Sequence, residues 1–196
     1  MKTLLIDFDG TLCYDRFWRS LESETTQKVQ EYLFLSDNTI VKDWMNGIHT
    51  SEDVNKKVSE KLGLDYKYLW NLFVKDCQTM QVDEMVLSKI MELKKDYKII
   101  LVTDNMDCFD RFTIPALKLN EYFDEVVNSF NERTSKNENE GQLFSEVIER
   151  LGSTLSESIL MDNSEKTCEI FNNLGGTSCL VTKEKPLIFW LDKEER

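Results

Sequence analysis

Leu4-Leu5-Ile6-Asp7-Phe8-Asp9-Gly10-Thr11-Leu12 is the stretch that decides how the rest of the chain is read. Three aliphatic residues run directly into an acidic, glycine-containing turn. A short continuous apolar run is the pattern of a strand buried in a parallel sheet. Asp7 and Asp9 stand two apart, so in extended backbone they project to the same side. Unpaired buried carboxylates are costly, and a cation between them would remove the cost. Chemistry is therefore the first reading of this stretch, and a solvated strand end is the plainer one.

Outward from it, the same strand pattern returns. Ile99-Ile100-Leu101-Val102 runs into Thr103-Asp104-Asn105, and Ile159-Leu160-Met161 runs into Asp162-Asn163-Ser164. Val126-Val127 and Ser178 to Val181 are two further strand candidates. Between them lie helical patterns: Val86, Ile90 and Leu93, then a stretch interrupted by Pro115. Leu143, Phe144, Val147 and Ile148 follow, closed by Gly152, and then Cys168, Ile170, Phe171 and Leu174. Strands alternating with amphipathic helices predict an α/β fold, a Rossmann-like parallel sheet core with helices on both faces.

Residues 13–82 have another texture, with helical spacings and no convincing strand. Phe17 and Leu21 form one apolar group and Val29, Tyr32 and Leu33 another, with the polar stretch Glu22 to Thr26 marking a break between them. Ser36 and Asp37 are N-cap candidates, Thr50 to Asp53 resembles a capping box, and Gly63 is a stop signal. The expected organisation is an α/β core from residues 1–12 and 83–196, with an all-helical cap domain, 13–82, inserted after the first strand.

Composition narrows the function. A chain of 196 residues that is 41% hydrophobic has enough apolar surface for a packed core. Its net charge of −12 argues against nucleic acid and against an anionic membrane surface. Five scattered cysteines with no CxxC pair suggest reduced thiols and a cytoplasmic location. With His49 as the only histidine, a histidine metal site or a Ser-His-Asp triad is not expected. Nucleotide-binding glycine motifs are also missing.

In open α/β sheets, ligands bind beyond the carboxyl ends of the strands. The clusters Asp7/Asp9, Thr103 to Asn105 and Asp162-Asn163 can therefore converge although they are far apart in sequence. Hard carboxylate oxygens suit Mg²⁺, which commonly keeps waters and binds a phosphate. At this point the chain resembles the haloacid dehalogenase-like hydrolases. Asp7-Phe8-Asp9-Gly10-Thr11 matches the first motif of that family, Thr103 the second and Asp162 the fourth. The third motif is a lysine usually followed by proline, and Lys136, followed by Asn137, is the candidate. The fourth motif commonly carries a second acid, and here the adjacent position is Asn163.

The resemblance implies a Mg²⁺-dependent phosphatase acting on a small phosphorylated metabolite, as a monomer or homodimer. It implies Asp7 as the nucleophile, Asp9 as general acid and base, and Lys136 as the neutralising cation. Thr103, Asp104 and Gly10 are expected at the phosphate. Asp7, Asp9 (through its carbonyl) and Asp162 are expected at the metal, with Asn163 supporting. A phosphomutase would use the same carboxylates, and a phosphonate-cleaving enzyme would need a cap lysine such as Lys42, Lys56 or Lys57. A non-catalytic phosphate-binding or regulatory protein is the reading from another class. Trp44 is expected in the helical core, and Arg16, Arg19 and Lys42 as surface charge.

Overall fold

The opening apolar run forms β1 (Lys2–Ile6) in a computed structural model that describes residues 2–36 and 38–194. Four further strands follow: β2 (Tyr97–Thr103), β3 (Glu125–Asn128), β4 (Ser158–Asp162) and β5 (Thr177–Leu180). All pair in parallel in the order β3-β2-β1-β4-β5, with Leu5 opposite Ile100 on one side and Leu160 on the other. The chain builds outward from β1 through β2 to β3, then crosses back to add β4 and β5. The order therefore reverses between β1 and β4, where a crevice opens beyond the carboxyl ends of the strands.

After the turns that follow β1, the regular elements among the described residues of 23–78 are all helical. The helices are α1 (Ser23–Gln30), continued by a π-helical turn over Glu31–Leu35, α2 (Thr39–Met45), α3 (Ser51–Leu62) and α4 (Tyr66–Gln78). Thr50 and Asp53 form the expected capping box, with the Thr50 N–H donating to Asp53 at 2.9 Å, and Gly63 ends α3 at φ 66°. The break expected over Glu22 to Thr26 is instead the start of α1, and Phe17 to Leu21 is a turn rather than a helix. The reason lies at Trp18, whose backbone is left-handed (φ 56°) and whose indole is wholly buried, donating to Asn55 at 3.0 Å. Tertiary burial of one ring thus overrides local helical spacing. The capping role expected of Asp37 falls outside the described residues; α2 begins after Asn38, which makes no side-chain cap.

The remaining helices cover the sheet. They are α5 (Glu84–Leu93), α6 (Ile114–Leu117), α7 (Leu119–Tyr122), α8 (Ser129–Glu132), α9 (Gln142–Arg150), α10 (Glu165–Asn173) and α11 (Leu187–Glu194). Leu4, Ile6, Ile99 and Leu101 pack with Ile90 of α5 and Leu191 of α11 on one face. Leu5, Ile100, Val102 and Leu160 pack with Phe144 of α9 and Phe171 of α10 on the other. Because side chains alternate between faces, a sheet covered on both sides demands an uninterrupted apolar run. Pro115 sits in the first turn of α6, where its missing N–H costs nothing. The segment around Phe189 and Trp190, with no predicted element, is α11; Trp190 donates to the Leu180 carbonyl at 3.0 Å.

Two features tie the helical region to the sheet. Cys13 pairs with Asp9 in one isolated bridge and with Val82 in another, so the outgoing and returning chains cross beside the end of β1. Farther out, the buried carboxylate of Asp107 accepts from the Trp44 indole at 2.7 Å, the Ser51 hydroxyl at 2.6 Å and Arg111 at 2.8 Å. Arg111 also pairs with Glu52 at 2.6 Å. Removing a buried acceptor strands its donors at about 1–3 kcal/mol. Asp107→Ala is therefore expected to lower the unfolding free energy by about that amount, measured by urea denaturation. A change within a few tenths of a kcal/mol would show that these donors find other partners.

Candidate active site

Asp7 follows β1 directly, and its N–H donates to Met161 of β4 at 3.0 Å, holding the carboxylate at the crevice. Asp162 ends β4 one strand away. Between them lies the ammonium of Lys136, 2.7 Å from Asp7 Oδ1 and 2.7 Å from Asp162 Oδ2, with all three side chains almost fully buried. Lys136 comes from the connection between α8 and α9, and two contacts fix that loop. Its own N–H donates to the Asp104 carboxylate at 2.8 Å, and Asn137 accepts from Thr167 of α10 at 3.1 Å. Asn137 thus anchors the loop by a side-chain hydrogen bond at the position where the family pattern has proline.

Burial pushes the Asp7 carboxyl above the usual carboxylate range, with Lys136 pulling it back and Asp162 and Asp9 adding to the rise. Burial alone would lower the lysine, but Asp7, Asp162 and Asp104 outweigh it and hold Lys136 well above an ordinary lysine. The cation and the acids therefore stabilise one another's charges. Asp9 is raised to about 6, chiefly by desolvation, against the pull of Arg16 and Lys136. A raised carboxyl is the kind that can carry a proton near neutral pH. Asn105 donates to Asp9 Oδ2 at 2.8 Å, and Arg16 lies 3.5 Å from Oδ1.

Gly10 takes a left-handed backbone (φ 81°), and a Cβ there would meet the Asn163 amide at 2.5 Å. The close approach requires glycine twice over, by backbone and by space. The Asn163 amide satisfies its neighbours with its nitrogen toward β1, donating to the Asp9 carbonyl at 3.1 Å and to Asp7 Oδ2 at 3.3 Å. Thr11 also donates to Asp7 Oδ2, at 3.3 Å. Thr103, at the end of β2, is fully buried and its hydroxyl has no hydrogen-bond partner. A buried hydroxyl left unsatisfied calls for an explanation, and a ligand oxygen is one.

Most of the positions singled out in sequence as chemical meet in one place, whereas Thr103 and Gly10 are not among the residues that line it. Asp7, Asp9, Asp104, Lys136, Asp162 and Asn163 line a common cleft, joined by Asn137, Ser164 and Thr167. Sequence reasoning gave no role to Asn105 or Thr11, whose contacts hold the two acids, nor to Ser129, which accepts from the Asn105 N–H at 3.1 Å. Asn105 stands in the strand-end cluster already noticed, which was the available signal; Ser129 had none. Arg16, expected as surface charge, is exposed but reaches the mouth of the cleft beside Asp9.

Lys136→Met keeps much of the side-chain volume and removes the charge, leaving two buried carboxylates unpaired. A loss of about 3–5 kcal/mol in unfolding free energy is expected at pH 8 in metal-free buffer. Without the lysine, nothing offsets the burial that raises Asp7, so the folded state binds a proton there that the unfolded chain has already released. Stability then falls as pH rises, so the loss should shrink toward pH 5. Urea denaturation of both proteins at the two pH values measures this. A loss equal at both would mean that charge pairing is not what Lys136 provides.

Comparison with known proteins places this geometry. A family model described as haloacid dehalogenase-like hydrolase matches residues 1–168. No curated protein matches the chain. Among solved structures, a HAD family enzyme from Bacteroides thetaiotaomicron, in complex with magnesium and inorganic phosphate, is 20% identical with a TM-score of 0.69. That match covers 93% of this chain and 94% of the other. A protein described as a predicted HAD-like family hydrolase from Porphyromonas gingivalis is 17% identical, with a TM-score of 0.78 over 100% and 98% of the two chains. The L-2-haloacid dehalogenase from Xanthobacter autotrophicus, with chloropropionic acid covalently bound, is 14% identical, with a TM-score of 0.62 over 94% and 80%. At these identities the structures share the fold, while the match of the family model spans most of the sequence: the chain belongs to the haloacid dehalogenase-like hydrolases.

Proposed function

We propose that this hydrolase is a Mg²⁺-dependent phosphatase of small phosphomonoesters, working through an aspartyl-phosphate on Asp7, with the helical region 13–82 as its cap. The observation that carries the reading is the buried Asp7–Lys136–Asp162 cluster at the strand ends, together with the unpartnered Thr103 hydroxyl at the end of the adjacent strand β2. It combines a carboxylate nucleophile, a fixed cation for an anionic substrate and a donor in need of an acceptor.

The donors at the cleft fit a hard cation. Besides the Lys136 ammonium, its lining contains carboxylates, amides and hydroxyls but neither cysteine nor histidine. Among the described residues no three Asp, Glu, Cys or His side chains are gathered into a ready-made cage. An ion here would rest on Asp7, Asp162, the Asp9 carbonyl and water, a mixed set that Mg²⁺ accepts. Asn163 uses one lone pair of that carbonyl and leaves the second. Mg²⁺ bound by these groups supplies the positive charge that lets an anionic phosphoryl group approach a carboxylate.

The chain's own residues account for the remaining steps. Lys136 favours the ionised form of Asp7 and orients it, and neutralises charge on the phosphoryl oxygens as they arrive. Thr103 and the Asp104 N–H donate to those oxygens, and Gly10 allows the turn to approach them closely. A carboxylate oxygen of Asp7 attacks phosphorus as the bond to the leaving oxygen breaks, and Asp9 gives that oxygen its proton. Asp9, now a carboxylate held by Asn105, takes a proton from water as the water attacks the same phosphorus. The bond to Asp7 then breaks, releasing inorganic phosphate and restoring both acids. The proton-transfer role of Asp9 favours phosphoryl transfer over dehalogenation, because dehalogenating members normally lack this second aspartate.

Asp7→Asn is expected to abolish Mg²⁺-dependent hydrolysis, read as release of inorganic phosphate; activity equal to wild type would refute the nucleophile. Asp9→Asn should lower kcat by about 10²–10⁴ on alkyl phosphates. The loss should be smaller on p-nitrophenyl phosphate, whose leaving group departs without a proton. An equal loss on both would remove Asp9 from the general-acid role.

A further inference from the structure

The cleft over the strand ends adjoins two chambers that share Phe34, Val41 and Met45, one richer in aromatic side chains and the other richer in charged ones. One, about 380 Å³, is walled by Phe17, Trp18, Phe34, Val41, Met45 and Met106. The other, about 440 Å³, carries Lys42, Lys166, Asn38, Asn137 and Glu138. Asp104 borders the catalytic cleft and both chambers, but Asp9 lines only the cleft and the apolar chamber, and Asn137 only the cleft and the polar one. The group that receives a proton from Asp9 is the leaving oxygen. Whatever is attached to that oxygen must therefore extend from Asp9, and the adjoining space is the apolar chamber.

Its walls are fixed in advance. The Phe17 ring lies 5.5 Å from that of Phe73, 6.1 Å from that of Trp44 and 6.2 Å from that of Trp18. Trp18 is locked from behind by its bond to Asn55, and Trp44 by its bond to Asp107. Rigid aromatic walls bind an apolar body without first paying for ordering of their own side chains. Apart from Asp9 and Asp104 at its mouth toward the cleft, a polyhydroxylated leaving group would lose water there and find Gln30 and Arg16 as its polar partners.

We propose that the substrates are phosphomonoesters of uncharged apolar alcohols, aromatic or branched aliphatic, rather than sugar phosphates or bisphosphates. The proposal rests on the phosphatase reading above and assigns the leaving-group site to Phe17, Phe34 and Met45. The polar chamber, with its lysines, stays outside the path of the leaving group and contributes nothing to this choice.

The test compares 2-phenylethyl phosphate with glycerol 3-phosphate, both esters of primary alcohols. The difference between them then reports the body of the alcohol more than its departure. The apolar ester should have a kcat/KM higher by at least about tenfold, the effect of even one well-buried methylene. Met45→Gln, close in volume but polar, should narrow that ratio. The product 2-phenylethanol should change Trp emission saturably, and glycerol should not. Glycerol 3-phosphate turned over as well or better would overturn the substrate class while leaving the phosphatase reading in place. So would a ratio unmoved in Met45→Gln, or an emission unmoved by 2-phenylethanol in an active enzyme. Turnover of neither ester would instead overturn the phosphatase reading, and the substrate class with it.

Discussion

The ammonium of Lys136, buried between Asp7 and Asp162, is the interaction on which the rest of the structure depends. Two carboxylates at the ends of adjacent strands repel each other, and both are withdrawn from water. With the lysine between them, each charge has a partner at hydrogen-bonding distance. The desolvation cost of three buried ions is high, so this geometry survives only because further bonds complete it. Asp104 holds the lysine's backbone, Thr11 and Asn163 hold Asp7, and the Ser164 N–H donates to Asp162 at 2.8 Å. Such a cluster is weak as a device for stability and strong as a device for placing charge.

That requirement explains the fold around it. Parallel strands bring β1, β2 and β4 to the same edge with their carboxyl ends aligned, so residues separated by some 150 positions in sequence become neighbours. The two-faced apolar core fixes the strands in register. The short polar turns after them are then free to carry groups whose burial would be intolerable elsewhere.

Much of this could be read from the sequence because it rests on local pattern. Apolar runs of strand length, each ending in small polar residues, announced β1, β2 and β4, and with them Asp7, Asp9, Thr103 and Asp162. Lys136 was harder to see, since a lysine in a polar loop resembles any surface lysine until the fold closes over it. Its burial depends on Asp104 and on Asn137 binding α10, neither of which is a local signal. Trp18 shows the opposite failure: the spacing of Phe17 and Leu21 suggested a helix, yet burial of the indole against Asn55 required a left-handed turn. The helix at Phe189 and Trp190 escaped because its five apolar residues, Leu187 to Leu191, are consecutive and carry no helical period to read. The chambers above the site were invisible for a related reason, since helical spacing records which residues pack but not which of them face an opening.

The crossing at Cys13 has a mechanical consequence. The chain leaving β1 and the chain returning to α5 are pinned together there, and the Gly10 N–H donates to the Cys13 carbonyl at 2.7 Å. The turn that carries Asp9 is thus held at the same point that joins the helical region to the sheet. A substitution that loosened the Cys13 pairings would therefore reach the carboxyl of Asp9 without touching the cleft itself.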